Sequence, residues 1–453
     1  MFRIDAGTTG KYCDGLSRRS FVQLGVAGMA GVGLADVLRA KAASVTPDRP
    51  AKDTSVILLW LDGGPSHLDL YDLKPDAPAE YRGIWRPIRT NVRGIEISEL
   101  FPRQAKVADK FSIVRSLHHG TGDHFTAGHY MLTGRGGVDG NNTAGKLPSF
   151  PSIATKVCGP RREGMPAYVS VPYAASIGLR PGYFGANYLG PQHNSFETSG
   201  DPNQPNFSVQ DLAMSGGMTL DRLEDRRGLL RHFDTIRRQA DASGEMDAMD
   251  RFQRQAYELV SGPAARKAFD IDSENAELRE RYGRNAWGQS VLLARRLVEA
   301  GSTFVTVHFG GWDHHWDLER GMENHLPRVD AAVATLFEDL DDRGLLDQVL
   351  VMVCGEFSRT PRMNDGSGMG TPGRDHWGNA MFCVLGGGGV KGGRIVGATD
   401  ARGEVPVERP VSPGDIHATV YNVLGVDPHV SFLDPSGRPV PAVDRGELIT
   451  ELL

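Results

Sequence analysis

Carboxylates and imidazoles gather at four places in this sequence: Asp62 in Asp62-Gly63-Gly64-Pro65-Ser66-His67, Asp313 and His315 in Trp312-Asp313-His314-His315, Glu356, and His376 in Arg374-Asp375-His376. Mixed oxygen and nitrogen donors of this kind suit hard or borderline divalent ions. Two such ions sharing one cluster could clamp and activate the oxygens of an ester. Taken singly, each residue has a plainer explanation, since an Asp after a strand commonly caps a helix and Ser66 could cap the next one. Caps need no histidine, however, and the pattern recurs beside successive apolar runs.

A second concentration of histidine occurs in His118-His119-Gly120-Thr121-Gly122-Asp123-His124-Phe125-Thr126-Ala127-Gly128-His129, shortly before Thr133-Gly134-Arg135. Its plain alternative is a satisfied polar network under a helix start. Gly387-Gly388-Gly389-Val390-Lys391-Gly392 fits G-x-G-x-x-G, but Gly393-Arg394-Ile395-Val396-Gly397 then reads as strand. A dinucleotide site needs a helix there, so the glycines do not make one.

The elements that must position these residues read as alternating strands and helices. Ser55 to Leu61 (SVILLWL) is a continuous apolar run, as suits a strand buried on both faces of a parallel sheet. Similar runs follow at Tyr168 to Val171, Thr303 to Phe309, Val349 to Cys354 and Ala380 to Leu385, with a helical pattern at Ala286 to Ala300. This order predicts an α/β fold with a doubly wound, mostly parallel sheet, and ligands in such sheets bind past the strand ends. Asp62, the Trp312 to His315 group, Glu356 and the Arg374 to His376 group are expected just past four of the runs. The charged, leucine-spaced stretch at about 208–283 reads as a helical insertion.

The chain has 453 residues, 40% apolar and 23% charged, with 50 Lys plus Arg against 56 Asp plus Glu. That is ordinary for a globular protein and excludes disordered and disulfide-dense classes. A formal charge of −6 argues against a nucleic-acid partner. Ser17-Arg18-Arg19-Ser20-Phe21-Val22 precedes an apolar run, Leu24 to Ala35, diluted by Gly25, Gly28, Gly31 and Gly33. Twelve residues are too few to span a bilayer, which takes about 20. Residues 1–43 therefore read as a twin-arginine signal, implying that export machinery as a partner, a mature domain over 44–453 without a stable membrane span, and a periplasmic or extracellular location. Of the later cysteines, Cys354 and Cys383 fall in apolar runs and read as buried thiols.

Leu58-Leu59-Trp60-Leu61-Asp62-Gly63-Gly64-Pro65-Ser66-His67, Gly311-Trp312-Asp313-His314-His315, Gly355-Glu356-Phe357-Ser358-Arg359-Thr360-Pro361 and Gly373-Arg374-Asp375-His376-Trp377 together resemble an exported family known as domain of unknown function 1501. The resemblance covers nearly the whole chain after the signal. It implies a sulfatase-like fold of the alkaline phosphatase superfamily, one or two divalent ions (Zn, Ca, Mg or Mn), and hydrolysis of sulfate or phosphate esters on a small molecule or glycan. It also implies metal ligation by Asp62, Asp313, His315, Glu356 and His376. The sequence departs at the nucleophile: counting back from Thr133-Gly134-Arg135 reaches His124, where sulfatases carry the reactive cysteine, and no Cys-x-Pro-x-Arg occurs. Thr121 and Thr126 are the nearby hydroxyls. The expectation is attack by metal-activated water, with His124, Asp123 and Thr126 at the reacting centre and Arg359 or Arg374 holding the anion. The alternative is a catalytically inactive, metal-containing protein that binds anionic glycans.

Overall fold

The computed structural model describes residues 53–136, 147–205, 207–209, 262–366 and 368–453. The twin-arginine segment lies outside these residues, as does most of the expected insertion. What is described of that insertion includes two short helices, Pro263–Phe269 and Ala276–Tyr282.

Eight strands form the central sheet: β1 Ser55–Leu61, β2 Phe111–Leu117, β3 Tyr168–Val171, β4 Phe196–Glu197, β5 Phe304–Phe309, β6 Val349–Cys354, β7 Met381–Gly386 and β8 Ile395–Val396. Their spatial order is β8-β2-β7-β6-β1-β5-β3-β4. The centre is parallel, with β1 running from Val56 beside Phe304 to Leu61 beside Phe309, and from Ser55 beside Val349 to Trp60 beside Cys354. Only β7 is reversed, antiparallel to both β6 and β2.

Every residue of β1 is buried, and alternate side chains leave by opposite faces. Ile57, Leu59 and Leu61 join a core built with helices α3 Ala286–Ala300 and α4 Leu318–Asp342. Val56, Leu58 and Trp60 join a second core under α1 His124–Thr133, α2 Phe150–Cys158 and α5 Pro413–Leu424. Helices on both faces explain why β1 reads as unbroken apolar sequence: neither face meets water. Cys354 and Cys383 are buried free thiols in the second core. Among the described residues no helix is long and apolar enough to cross a membrane.

The helix boundaries follow local chemistry. Asn285 accepts from the amides of Trp287 and Gly288 to start α3, and Ser412 with Asp415 forms a reciprocal capping box on α5. Asp123 caps α1 by accepting from the Thr126 amide, which fixes His124 as the first residue of that helix.

Candidate metal centre

The carboxyl ends of β1, β5 and β6 deliver Asp62, Asp313 and Glu356 to one rim of the sheet. His376 arrives differently from the expectation: it precedes its strand rather than following one. Because β7 is reversed, its beginning lies at the rim where the parallel strands end. The short pairing of His376–Trp377 with Ser358–Arg359 ties that segment to the chain leaving β6.

Two turns set the spacing. Gly63 has φ +116°, and a Cβ there would lie 2.6 Å from the amide nitrogen of Asp313. Only glycine lets the loop after β1 rest directly on the loop after β5. That second loop is anchored by Trp312, fully buried and stacked on Trp287 at an interplanar angle of 11°.

His315 and His376 converge on Asp313. Each Nε2 lies 3.1 Å from Asp313 Oδ1, and the two Nε2 atoms are 2.9 Å apart. The far nitrogens are already committed, His376 Nδ1 to the carbonyl of Gly122 and His315 Nδ1 to Asp375 Oδ1, both at 2.7 Å. A carbonyl can only accept, so His376 Nδ1 carries the proton and, in the neutral ring, its Nε2 offers a lone pair. The Asp375 carboxylate asks the same of His315. Two lone pairs and a carboxylate oxygen facing one another are held together by a positive charge placed between them, the arrangement outer partners impose on metal-binding imidazoles.

His124 joins this group to a second one. Its Nδ1 lies 2.7 Å from Glu356 Oε1 and its Nε2 3.5 Å from Asp313 Oδ2. The ligating atoms of His124, Asp313 and His376 all lie within 4.8 Å of one another. Glu356 is fully buried, accepts from the Gly63 amide at 2.9 Å, and keeps Oε2 without a partner. Asp62 accepts from the amide of Ile177 at 2.8 Å, faces His308 Nε2 at 3.1 Å, and keeps a buried Oδ1 without a partner. Burial and the charge of Asp62 push the Glu356 carboxyl up, with His124 opposing them. Orphaned carboxylate oxygens in a dry site are costly unless a cation meets them. The donor chemistry therefore fits divalent ions at both groups.

A family model described as "Protein of unknown function (DUF1501)" matches residues 53–453. The chain belongs to the DUF1501 family. A search of curated proteins gives no match to it. Among solved structures, similarity extends to a protein in the alkaline phosphatase superfamily from Vibrio parahaemolyticus, at 11% identity, TM-score 0.40, covering 87% of this chain and 74% of that one. It extends also to the phosphonate monoester hydrolase of Agrobacterium radiobacter, at 11% identity, TM-score 0.39, with 88% and 77% covered. A sulfatase from Pseudoalteromonas sp. follows at 14% identity, TM-score 0.36, with 86% and 71% covered. Superpositions this loose carry no argument about chemistry, so the site of this DUF1501 chain is read from its own residues.

Burial opposes charge on His124, but its bonds to Asp313 and Glu356 win and push it up to about 9. For Asp313, bonds from His124 and His376 and the nearby Arg359 guanidinium outweigh burial and hold the carboxyl well below the usual range. His119, whose Nε2 lies 2.6 Å from the Glu356 carbonyl, is driven down to about 4 by burial.

The remaining expected residues are placed as follows. Asp123 is exposed, and its Oδ1 accepts from both the amide and the hydroxyl of Thr126 at 2.8 Å. Both serve the helix start that aims His124. His129 is turned inward, its Nδ1 bonded to the Arg135 carbonyl at 3.0 Å. Arg359 and Arg374 are both fully buried, and neither guanidinium faces outward for an anion. Arg374 pairs with buried Asp69 at 2.9 Å and donates to the carbonyls of Arg82, Thr360 and Pro361. Arg359 donates to the carbonyls of Gly63 and Gly64 and to Asp313 Oδ1 at 2.6 Å, bracing that carboxylate.

Sequence reasoning missed His308 and Tyr183. His308 is the one imidazole in the otherwise apolar or hydroxyl-bearing run of β5, which was a usable signal. Tyr183, whose buried hydroxyl lacks a partner and senses Glu356 and Asp62, comes from a single 3-10 turn, Gly182–Phe184, too short to leave a periodic mark.

Proposed function

We propose that this DUF1501 chain is a metal-dependent hydrolase of sulfate or phosphate esters, exported through the twin-arginine route to the periplasm or cell exterior. The observation that carries the metal dependence is the pair of Nε2 atoms of His315 and His376 facing Asp313, each ring turned by a bond at its other nitrogen. Asp313, His315 and His376 would hold one ion, and Asp62 with Glu356 a second. Such ions, when bound, supply Lewis-acid charge that polarises the ester oxygens and makes water acidic enough to attack near neutral pH.

The chain's own residues do the rest. Glu356 Oε1 fixes the His124 ring, so that Nε2 is held toward Asp313, where it can move a proton to or from the reacting water. Asp123 and Thr126 hold the first turn of α1 and thereby the position of His124. Arg359 keeps Asp313 from rotating away. Phe357, 4.7 Å from the His124 ring and 4.5 Å from that of His376, walls the centre with apolar surface.

One observation favours the second reading, an inactive metal-containing protein for anionic glycans: Thr126 Oγ1 donates to Asp123, and Thr121 Oγ1 faces the Asp123 amide at 3.5 Å, so neither is poised for attack. Elemental analysis of purified protein, with a screen of aryl sulfates and phosphates before and after chelation, decides. Turnover abolished by chelator and restored by a divalent ion supports the hydrolase. Bound metal without turnover of any ester supports the binding protein.

A further inference from the structure

Beside the metal centre lies a cavity of about 650 Å³, reached over Asp313 and walled by His314, Trp316, Asp317, Arg320 and Asn324. Its size is in the range of small-molecule sites. It shares one residue, Asp313, with the centre, and is therefore its immediate neighbour.

Three features show a binding surface. Trp316 leaves 43% of its surface exposed, directly after the ligand candidate His315. Arg320, on the first turn of α4, is exposed, and its guanidinium has neither hydrogen bond nor ion pair among the described residues. This contrasts with Arg359 and Arg374, whose donors are spent inside the protein. Finally, the wall is rigid. Asp317, at φ +52°, is fixed by its Oδ1 accepting from the amide and hydroxyl of Thr371 at 3.0 Å. His314 adds a buried Nδ1 with no partner.

We propose that this cavity is the subsite for the alcohol part of the ester and takes a sugar ring bearing a second negative charge. The inference rests on the hydrolase reading for its orientation toward the metal centre. A pyranose has an apolar face of C–H groups and a rim of hydroxyls. An exposed indole suits the face, while the amide of Asn324 and the imidazole of His314 suit the rim. The unpartnered fork of Arg320 matches a carboxylate or sulfate through two parallel hydrogen bonds. A purely apolar alcohol would leave that guanidinium facing an unsolvated ligand.

The test is calorimetric titration of the full metal-containing protein with a monosulfated glucuronate disaccharide and with its desulfated methyl ester. Wild type should bind the charged sugar more tightly than the neutral one. Arg320→Gln should collapse that preference by about tenfold, with Arg320→Lys recovering only part of it. Trp316→Ala should weaken both sugars by about fivefold or more. Absence of saturable binding by wild type, or an unchanged charged-over-neutral preference in Arg320→Gln, overturns the subsite. Aryl ester turnover, measured separately, reports on the hydrolase reading: turnover without an Arg320 effect sinks the subsite alone. An Arg320 effect without turnover of any ester leaves the sugar site standing and removes the hydrolysis.

Discussion

His315 Nε2 and His376 Nε2 stand 2.9 Å apart, each imidazole turned to that position by an acceptor at its Nδ1. For His315 the acceptor is Asp375, whose Oδ1 meets the ring at Nδ1, the nitrogen opposite the shared point. Asp375→Asn should therefore weaken metal binding by about 10- to 100-fold through loss of orientation and basicity, while leaving all proposed ligands in place. Competition against a chelator of known affinity measures this. Equal affinity in wild type and variant would remove Asp375 from the centre.

His124→Ala should lower turnover by about a hundredfold or more, because it removes both the proton carrier and the link between Glu356 and Asp313. Asp123→Ala should cost about 1 kcal/mol of stability through loss of the cap on α1, whereas Thr126→Ala keeps the capping amide and should retain most activity. Rapid quenching with labelled ester separates the cases. A labelled Thr121 or Thr126 peptide would show a side-chain nucleophile in place of water.

Arg374 is assigned to the fold rather than to substrate. Removing one partner of a fully buried ion pair leaves the other charge stranded, so Arg374→Ala should destabilise by about 3–5 kcal/mol in urea unfolding. The Asp69 and Arg374 pair is completely sequestered from solvent, which places it in this class. A variant of wild-type stability with a raised KM would return Arg374 to the anion site.

His417 gives a separate pH-dependent signature. Burial lowers it to about 4 while its Nε2 donates to the Met131 carbonyl at 2.8 Å. A histidine depressed in the folded state binds fewer protons there than when unfolded, so stability falls as pH drops from about 6.5 toward 4. The loss attributable to this residue should approach about 3 kcal/mol. Urea midpoints across that window should flatten in His417→Gln, and an unchanged slope would count against the neutral buried ring.

The α/β architecture was readable because β1 and β6 are nearly unbroken apolar runs and α3 carries a clear cap at Asn285 and a stop at Gly301. The direction of β7 was not readable, since composition is indifferent to which way a strand runs. The strand β2 was overlooked because Ser112, Arg115 and Ser116 interrupt its apolar pattern. Helix α4 was overlooked because it opens with charged residues and contains Pro327. Within the site, the sequence named the acidic and histidine residues that the fold brings to one rim. It could not tell a buried arginine from a free one: Arg359, Arg374 and Arg320 differ in what surrounds them in space, and none of that is local in sequence.

The backbone contact at Gly63 bears on which ion the centre would accept. There the loop carrying Asp62 rests on the amide of Asp313 with no side chain between them, so the gap between the two halves is fixed by main-chain dimensions rather than by compressible core packing. If the centre holds an ion as proposed, walls this stiff would discriminate by radius. Loosening the surrounding hydrophobic core would lower the melting temperature before it altered that preference. Changing the ion would require altering the reach of a ligand, as in Glu356→Asp, which withdraws one carboxylate by a single methylene and leaves the frame as it is.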